Sequence, residues 1–331
     1  MTLRQFGDRT DEEFKSFYIS FEDFGFEQNN HSTILFDLSN QSRAVTGCSS
    51  GLGKSFAETI YAAGHRIVAT ARSLESLSYL PDEPNVLKIQ LDVTSQQDIV
   101  TAFACAVEKF SQINVVINNA GYGLLGDTEA ISEEEARCQL ETNFWGPVHA
   151  TKEALRIFRE VNPRGRGGTI VQISSLGGGM AFPGHSFYHA SKFALEGFTK
   201  SVAKEMDPAW NIRFLICAPG GVRTNFAGSS KKLAPRHPAY DSPAGPFSKL
   251  IKYITDPEAA LTWSEPAICA QLLFETVMQQ HVRSLPARLL MGAETVPLVR
   301  EDIEKTLKEM DAWKEETMRC SPAGGAQIMS F

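Results

Sequence analysis

No stretch of this 331-residue chain is apolar for the roughly 18–20 consecutive positions that a membrane-spanning helix needs. Positive charge is not in excess either. The chain carries 32 basic and 39 acidic side chains, a net charge of −7, so no global cationic field draws in nucleic acid or an anionic membrane surface. Cysteine is sparse: Cys48, Cys105, Cys138, Cys217, Cys269 and Cys320 contain no C-x-x-C pair. Such scattered thiols suit a reducing compartment and exclude a disulfide frame or a zinc site. The opening Met1-Thr2-Leu3-Arg4 runs on to Asp11-Glu12-Glu13 without the apolar core of a secretory signal, and its acids are unlike a mitochondrial presequence. A soluble, cytoplasmic protein without a nucleic-acid partner is expected. There is no internal repeat and no Gly/Ser linker, which favours a single domain.

What is present is ordinary globular material, 43% apolar and 21% charged, on a chain long enough to bury a large core. The aromatic-rich residues 1–41, with Phe14, Phe17, Tyr18, Phe21, Phe24 and Phe26 among them, follow neither a period of two nor one of 3.6 and read as a peripheral or flexible arm. Beyond them strands and helices alternate. Strands are expected over 42–46, 66–70, 86–91, 113–117, 169–173, 211–217 and 288–291. Helices are expected over 54–63, 95–110, from 131 onward with Ser132 as N-cap, from 188 to about 206, over 266–279 and over 300–316. This order implies an α/β fold of three layers, a doubly wound parallel sheet with helices on both faces (the Rossmann fold). The domain should cover 42–320, with a proline-punctuated lid over the substrate at about 225–263 and a tail at 321–331.

Between the first strand and helix lies Gly47-Cys48-Ser49-Ser50-Gly51-Leu52-Gly53. A glycine-rich turn here lets backbone approach a pyrophosphate, with the helix N–H groups and positive end aimed at the anion. The second strand ends Ala71-Arg72, where folds that choose NAD usually carry an acid for the ribose hydroxyls. An arginine there can bind a 2′-phosphate instead, so NADP(H) is the expected cofactor.

Tyr188 and Lys192 stand four apart on a helix and project to one face. A lysine cation beside a phenol should lower the tyrosine's pKa toward the working range of an acid–base catalyst. Upstream stands the Ser174-Ser175 pair, without the G-x-S-x-G elbow of a serine hydrolase. His185 and His189 are also four apart, but no third ligand accompanies them and no metal is expected.

Thr46-Gly47-x-x-x-Gly51-x-Gly53, Asn118-Asn119-Ala120-Gly121, Asn143, Ser175, Tyr188-x-x-x-Lys192 and Pro219-Gly220 together resemble the short-chain dehydrogenase/reductase family. The likeness is strong over 43–225 and looser to about 316. Ala69-Thr70-Ala71-Arg72 and Asn119-Ala120-Gly121-Tyr122-Gly123 look most like its hydroxysteroid and retinol dehydrogenase branch. The resemblance implies an oxidoreductase that moves a hydride between NADP(H) and a ketone or secondary alcohol. Tyr188 would be the acid or base, Lys192 would tune it and hold the nicotinamide ribose, and Ser175 would orient the carbonyl. Asn143 would kink its helix and anchor the proton relay. Gly47, Ser49, Gly51, Leu52 and Gly53 would line the pyrophosphate, Arg72 the 2′-phosphate, Asp92 and Val93 the adenine, and Asn119 and Gly121 the ribose region. Val222 and Thr224 would hold the nicotinamide amide and the phosphate.

Apolar Tyr122, Leu124, Leu125, Met180, Phe182 and Phe226, with Tyr240 on the lid, suggest a small hydrophobic substrate, and the chain is expected as a homodimer or homotetramer. The same fold could instead serve a non-catalytic NADP(H)-binding regulator, or catalyse isomerisation or dehydration. Two features depart from the family pattern: the long arm, and Ser42-Arg43 where the first strand usually has aliphatic residues. Either 33–36 supplies an unusual first strand or the centre of the sheet is weakened.

Overall fold

The computed structural model describes residues 40–224 and 231–321, all within one compact unit, Leu38–Phe331. Most of the arm, the alternative strand at 33–36, Phe226 and nearly all of the tail lie outside the described residues.

The first strand, β1 (Ser42–Val45), runs into α1 (Gly51–Ala62), β2 (Arg66–Ala71) and β3 (Val86–Gln90). Then follow α2 (Gln96–Phe110), β4 (Val115–Asn118), a short β5 (Gly123–Leu125), α3 (Glu133–Leu140) and α4 (Gly146–Glu160). The chain continues through β6 (Gly168–Ile173), α5 (Ser186–Glu205), β7 (Ile212–Pro219) and β8 (Lys231–Leu233). Helices α6 (Pro246–Ile254), α7 (Pro257–Ala260) and α8 (Pro266–Met278), strand β9 (Arg288–Met291), and helices α9 (Thr295–Ala312) and α10 (Lys314–Met318) complete it.

Seven strands form one sheet in the order β3-β2-β1-β4-β6-β7-β9, each neighbouring pair parallel. The doubly wound expectation therefore holds. Side chains alternate across the sheet. Val45, Ile67, Ala69, Val115, Ile117 and Val171 face one core with α1 and α8. Ala44, Val68, Val116 and Ile170 face the other with α2 and α4. The order runs outward from β1 to β3, then returns past β1 to β4. That reversal leaves a crevice at the carboxyl ends of β1 and β4, the usual ligand position in such sheets.

The centre of the sheet is not weakened at Ser42-Arg43. Strand β1 pairs on both sides, and Ser42 and Arg43 are 0% and 1% exposed. The Arg43 guanidinium lies 4.5 Å from the Phe274 ring centroid and donates to Gln41 Oε1 at 3.1 Å. Burial lowers its pKa to about 9. An aromatic face and neutral acceptors accommodate the cation where the family pattern has an aliphatic side chain.

Ser132 caps α3 as expected, its hydroxyl accepting from the Glu135 N–H while the Glu135 carboxylate accepts from the Ser132 N–H, the reciprocal arrangement that ends a helix cleanly. Between α3 and α4 the chain takes one π turn, Glu141–Trp145. In the lid region, Pro238, Pro246 and Pro257 break no structure. Each opens a short helical element, where a missing N–H costs nothing. The described part of 225–263, where a lid is expected, is tied to the body: Arg236 Nε donates to the buried Asp127 Oδ2 at 2.8 Å and the His237 N–H to the same oxygen at 3.1 Å. β8 pairs with β5. No helix among the described residues is long and apolar enough to cross a membrane.

Candidate active site

The crevice opens into a cavity of about 680 Å³, within the size range of ligand sites. Its wall includes every expected catalytic and cofactor residue except Asn143. At the phosphate end the glycines are forced. Gly47 has φ +73°, and a Cβ there would come within 2.8 Å of Ala120 Cα. A Cβ on Gly53 would overlap the Gly47 carbonyl and the Asn119 amide, and Gly51, at φ +56°, lies against Thr224. The cradle thus has room for a ligand's pyrophosphate and for no side chain. Ser50 makes no side-chain cap on α1, and the first turn carries no acid, so the helix's N-terminal donors are left for an anion. Arg72 stands exposed at the end of β2, and Asp92 and Val93 follow β3 on the wall. The donor set fits a nicotinamide dinucleotide.

Asn119, on the cavity wall, also braces the glycine turn. Its amide donates to the carbonyls of Thr46 at 2.8 Å and Gly47 at 3.2 Å, and Thr46 Oγ1 accepts from the N–H groups of Asn119 and Ala120 at 3.0 Å. The Asn119 amide nitrogen thus holds the glycine turn by satisfying two of its backbone carbonyls.

Strand β6 delivers Ser174 and Ser175 to the other end of the cavity, and α5 brings Tyr188 and Lys192 to meet them. The Tyr188 phenol is buried and hydrogen-bonded to Ser175. Lys192 Nζ donates to the Ile173 carbonyl at 2.8 Å and lies 6.0 Å from the Tyr188 ring centroid. Ser174 turns away and donates to Glu196 at 2.7 Å, so of the two serines it is Ser175 that faces the tyrosine.

The expected lowering of the Tyr188 pKa is not what the site produces on its own. Burial pushes the phenol up to about 12, with the Ser175 hydrogen bond pulling the other way. Burial also brings Lys192 down to about 8, opposed by Glu196. Desolvation is the largest cause for both groups because both lie almost wholly out of water.

Asn143 sits in the π turn, fully buried. Its Oδ1 accepts from the Tyr122 N–H at 3.1 Å, and its Nδ2 donates to the Tyr122 carbonyl at 2.9 Å and to Ser191 Oγ at 3.3 Å. Ser191 in turn donates to the Tyr188 carbonyl at 2.6 Å. Asn143 therefore joins the cavity wall to α5 from behind.

Among the apolar residues assigned to the substrate end, Tyr122 lines the cavity. Leu124 and Leu125 are core, 0% and 1% exposed, because β5 is buried along its whole length. Tyr240 faces outward and donates to Glu129 at 2.6 Å. Sequence reasoning missed Glu196 and Arg288, which meet behind the serines. Glu196, four residues after Lys192, could have been found by the same helical spacing. Arg288 is too distant in sequence to give any local signal.

A glycine cradle at a sheet's switch point, joined to a buried tyrosine, serine and lysine, defines a nucleotide-binding oxidoreductase fold. The profile of the short chain dehydrogenase family matches residues 42–234. The chain is 42% identical over 276 residues to oxidoreductase calM of Penicillium decumbens, covering 82% of this chain and 90% of that one. It is 36% identical over 270 residues to the uncharacterized oxidoreductase C162.03 of Schizosaccharomyces pombe, covering 81% and 87%. The crystal structure of a short-chain dehydrogenase from Streptomyces avermitilis matches with a TM-score of 0.72 at 30% identity, covering 84% of this chain and 98% of that one. This chain belongs to the short-chain dehydrogenase family and is an oxidoreductase acting on CH–OH or C=O groups.

Proposed function

We propose that the protein is an NADP(H)-dependent reductase or dehydrogenase of hydrophobic ketones and secondary alcohols, with Tyr188 as its acid or base. The observation that carries this reading is the Tyr188 phenol, buried on the cavity wall and bonded to Ser175. At neutral pH the hydroxyl is protonated, the state needed to donate to a carbonyl oxygen, as an ordinary phenol would be.

When bound, the dinucleotide supplies or accepts the hydride at its nicotinamide. Ser175 Oγ orients the substrate oxygen, and Tyr188 passes its proton to that oxygen in reduction or takes it back in oxidation. Burial opposes the phenolate this leaves, and the Lys192 cation offsets that cost as the charge develops. Asn143 anchors the relay side by fixing Tyr122 and, through Ser191, the backbone of Tyr188. Arg72, exposed at the end of β2 in place of an acid, favours the 2′-phosphate of NADP(H).

The test measures NADPH-driven reduction of a reactive diketone alongside calorimetric NADPH binding. Tyr188→Phe should lose a factor of about 10²–10⁴ in turnover while binding NADPH as the unmodified protein does. Lys192→Ala should lose turnover and affinity together. Full turnover in Tyr188→Phe would overturn the assignment. Binding without turnover by the unmodified protein, across aromatic, steroidal and polyketide-like ketones, would favour a regulator.

A further inference from the structure

We infer that the Glu196–Arg288 ion pair, buried at its carboxylate, positions Ser175, so that Arg288, from the far edge of the sheet, governs turnover through the serine hydroxyl. The inference rests on the reading of Ser175 proposed above.

Tyr188, Lys192 and Glu196 follow one another at four-residue intervals along α5, one face of a helix. The Glu196 side chain is 2% exposed. Its Oε1 accepts from Ser174 Oγ at 2.7 Å and from Arg288 Nε at 3.2 Å, while Oε2 faces the exposed Lys200 ammonium at 3.5 Å. Arg288 is the first residue of β9. Its Nη2 donates to the Ser175 carbonyl at 3.1 Å. Two consecutive serines are thus gripped by one ion pair, Ser174 through its hydroxyl and Ser175 through its carbonyl. The peptide plane leading out of Ser175 is held, and with it the Ser175 Cα–Cβ direction and the Gly177 N–H that donates to Ser175 Oγ at 3.0 Å.

The neighbouring backbone is fitted to this pair. A Cβ on Gly178 would overlap Ser174 Oγ and the Glu196 carboxylate, and one on Gly179 would lie 2.9 Å from Arg288 Nη2. Stability alone does not account for the arrangement, since a buried ion pair is commonly matched or bettered by apolar side chains of similar volume. An ion pair with directed hydrogen bonds supplies fixed geometry at the group it grips. In a catalytic site a displacement of about 1 Å can cost on the order of 10²-fold in rate.

The experiment compares Arg288→Met, Ser175→Ala and the double variant in the full chain. It reads kcat and KM for diketone reduction, calorimetric NADPH affinity, and amide exchange at Gly177, whose N–H donates to Ser175 Oγ at 3.0 Å. Arg288→Met should lower kcat about tenfold or more, leave NADPH affinity unchanged and speed Gly177 exchange. On the Ser175→Ala background the same change should have little further effect on either rate, a coupling expected only if the arginine acts through the serine. Arg288→Gln replaces Arg288→Met if the latter does not fold.

Independent, multiplicative losses, or no loss at all in Arg288→Met, would overturn the inference while the proposed function stood. Normal turnover in Ser175→Ala removes the serine from the chemistry and overturns the inference, while Tyr188-dependent reduction still stands. An unmodified protein that reduces no carbonyl sinks the proposed activity and, with it, the claim that Arg288 governs turnover. Positioning is then decided by Gly177 exchange, supported by faster exchange in Arg288→Met and overturned by an unchanged rate.

Discussion

Acid should destabilise this protein through an imbalance at His189, beside Tyr188. The ring is buried in the first turn of α5, and Nδ1 accepts from the Phe182 N–H at 3.2 Å, which requires an unprotonated Nδ1. Burial, reinforced by His185 stacked 5.3 Å away, lowers the pKa from 6.5 to about 4. The positive end of the helix acts in the same direction. Between those two values the unfolded chain takes up a proton that the folded chain refuses, so stability falls as the pH falls. At pH 5 the folded ring is still neutral and the unfolded one almost fully charged. At about 1.4 kcal/mol per pH step below 6.5, moving from pH 7 to 5 costs about 2 kcal/mol at this residue.

His65, also lowered to about 4, by burial and then by Arg43, adds a loss of the same sign, so the measurement must be a difference. Urea melts of the unmodified protein and of His189→Gln at both pH values supply it. Glutamine keeps an acceptor for Phe182 and has no proton to gain. The unmodified protein should lose about 2 kcal/mol more than the variant over that interval. Equal losses would show that His189 is not the group responsible.

Cofactor choice is tested at Arg72. NADPH should bind more tightly than NADH, and Arg72→Ala should narrow the gap by about 1.5–3 kcal/mol, the range for hydrogen bonds to charged groups. Equal calorimetric affinities in the unmodified protein would sink the assignment. At the lid, Asp127→Asn removes the charge that faces Arg236 at 2.8 Å and weakens the charge-assisted acceptor for the His237 N–H. Limited proteolysis over 231–254 should then run about tenfold faster or more, since charge-assisted bonds are worth about 1.5–3 kcal/mol; an unchanged cleavage rate would show that the ion pair does not hold the lid down.

The sheet was legible because buried parallel strands are short apolar runs bounded by turn residues, and the final strand at 288–291 is placed to the residue. Ser132 was legible as a cap because its signal is local, a hydroxyl three residues before an acid. At Arg43 the polar side chain looked like a flaw in the first strand, since nothing nearby in sequence announces Phe274 as its platform. Leu124 and Leu125 were assigned to the substrate because apolar residues after a strand can serve either a cavity or a core, and only packing decides. The depth of Tyr188 was likewise invisible. Spacing puts the lysine beside the phenol, but it says nothing of the desolvation that reverses the direction of the pKa shift. Arg288 belongs to the same class, a partner 92 residues from Glu196 that only the folded sheet brings near.

The single π turn at Glu141–Trp145 acts as a change of phase. One turn there holds a residue more than its α-helical neighbours, so the side chains of α4 come round about 100° out of step with a continuation of α3. The two halves of one helical rod can therefore serve different neighbours. α3 leans on α5 and β5 beside the cavity, and α4 lies against α2, β4 and β6 in the core. Asn143 stands at the change of step and bonds to Tyr122 on one side and Ser191 on the other. Removing one residue from this turn would restore an unbroken α-helix, and every side chain beyond the deletion would then point away from its present partner.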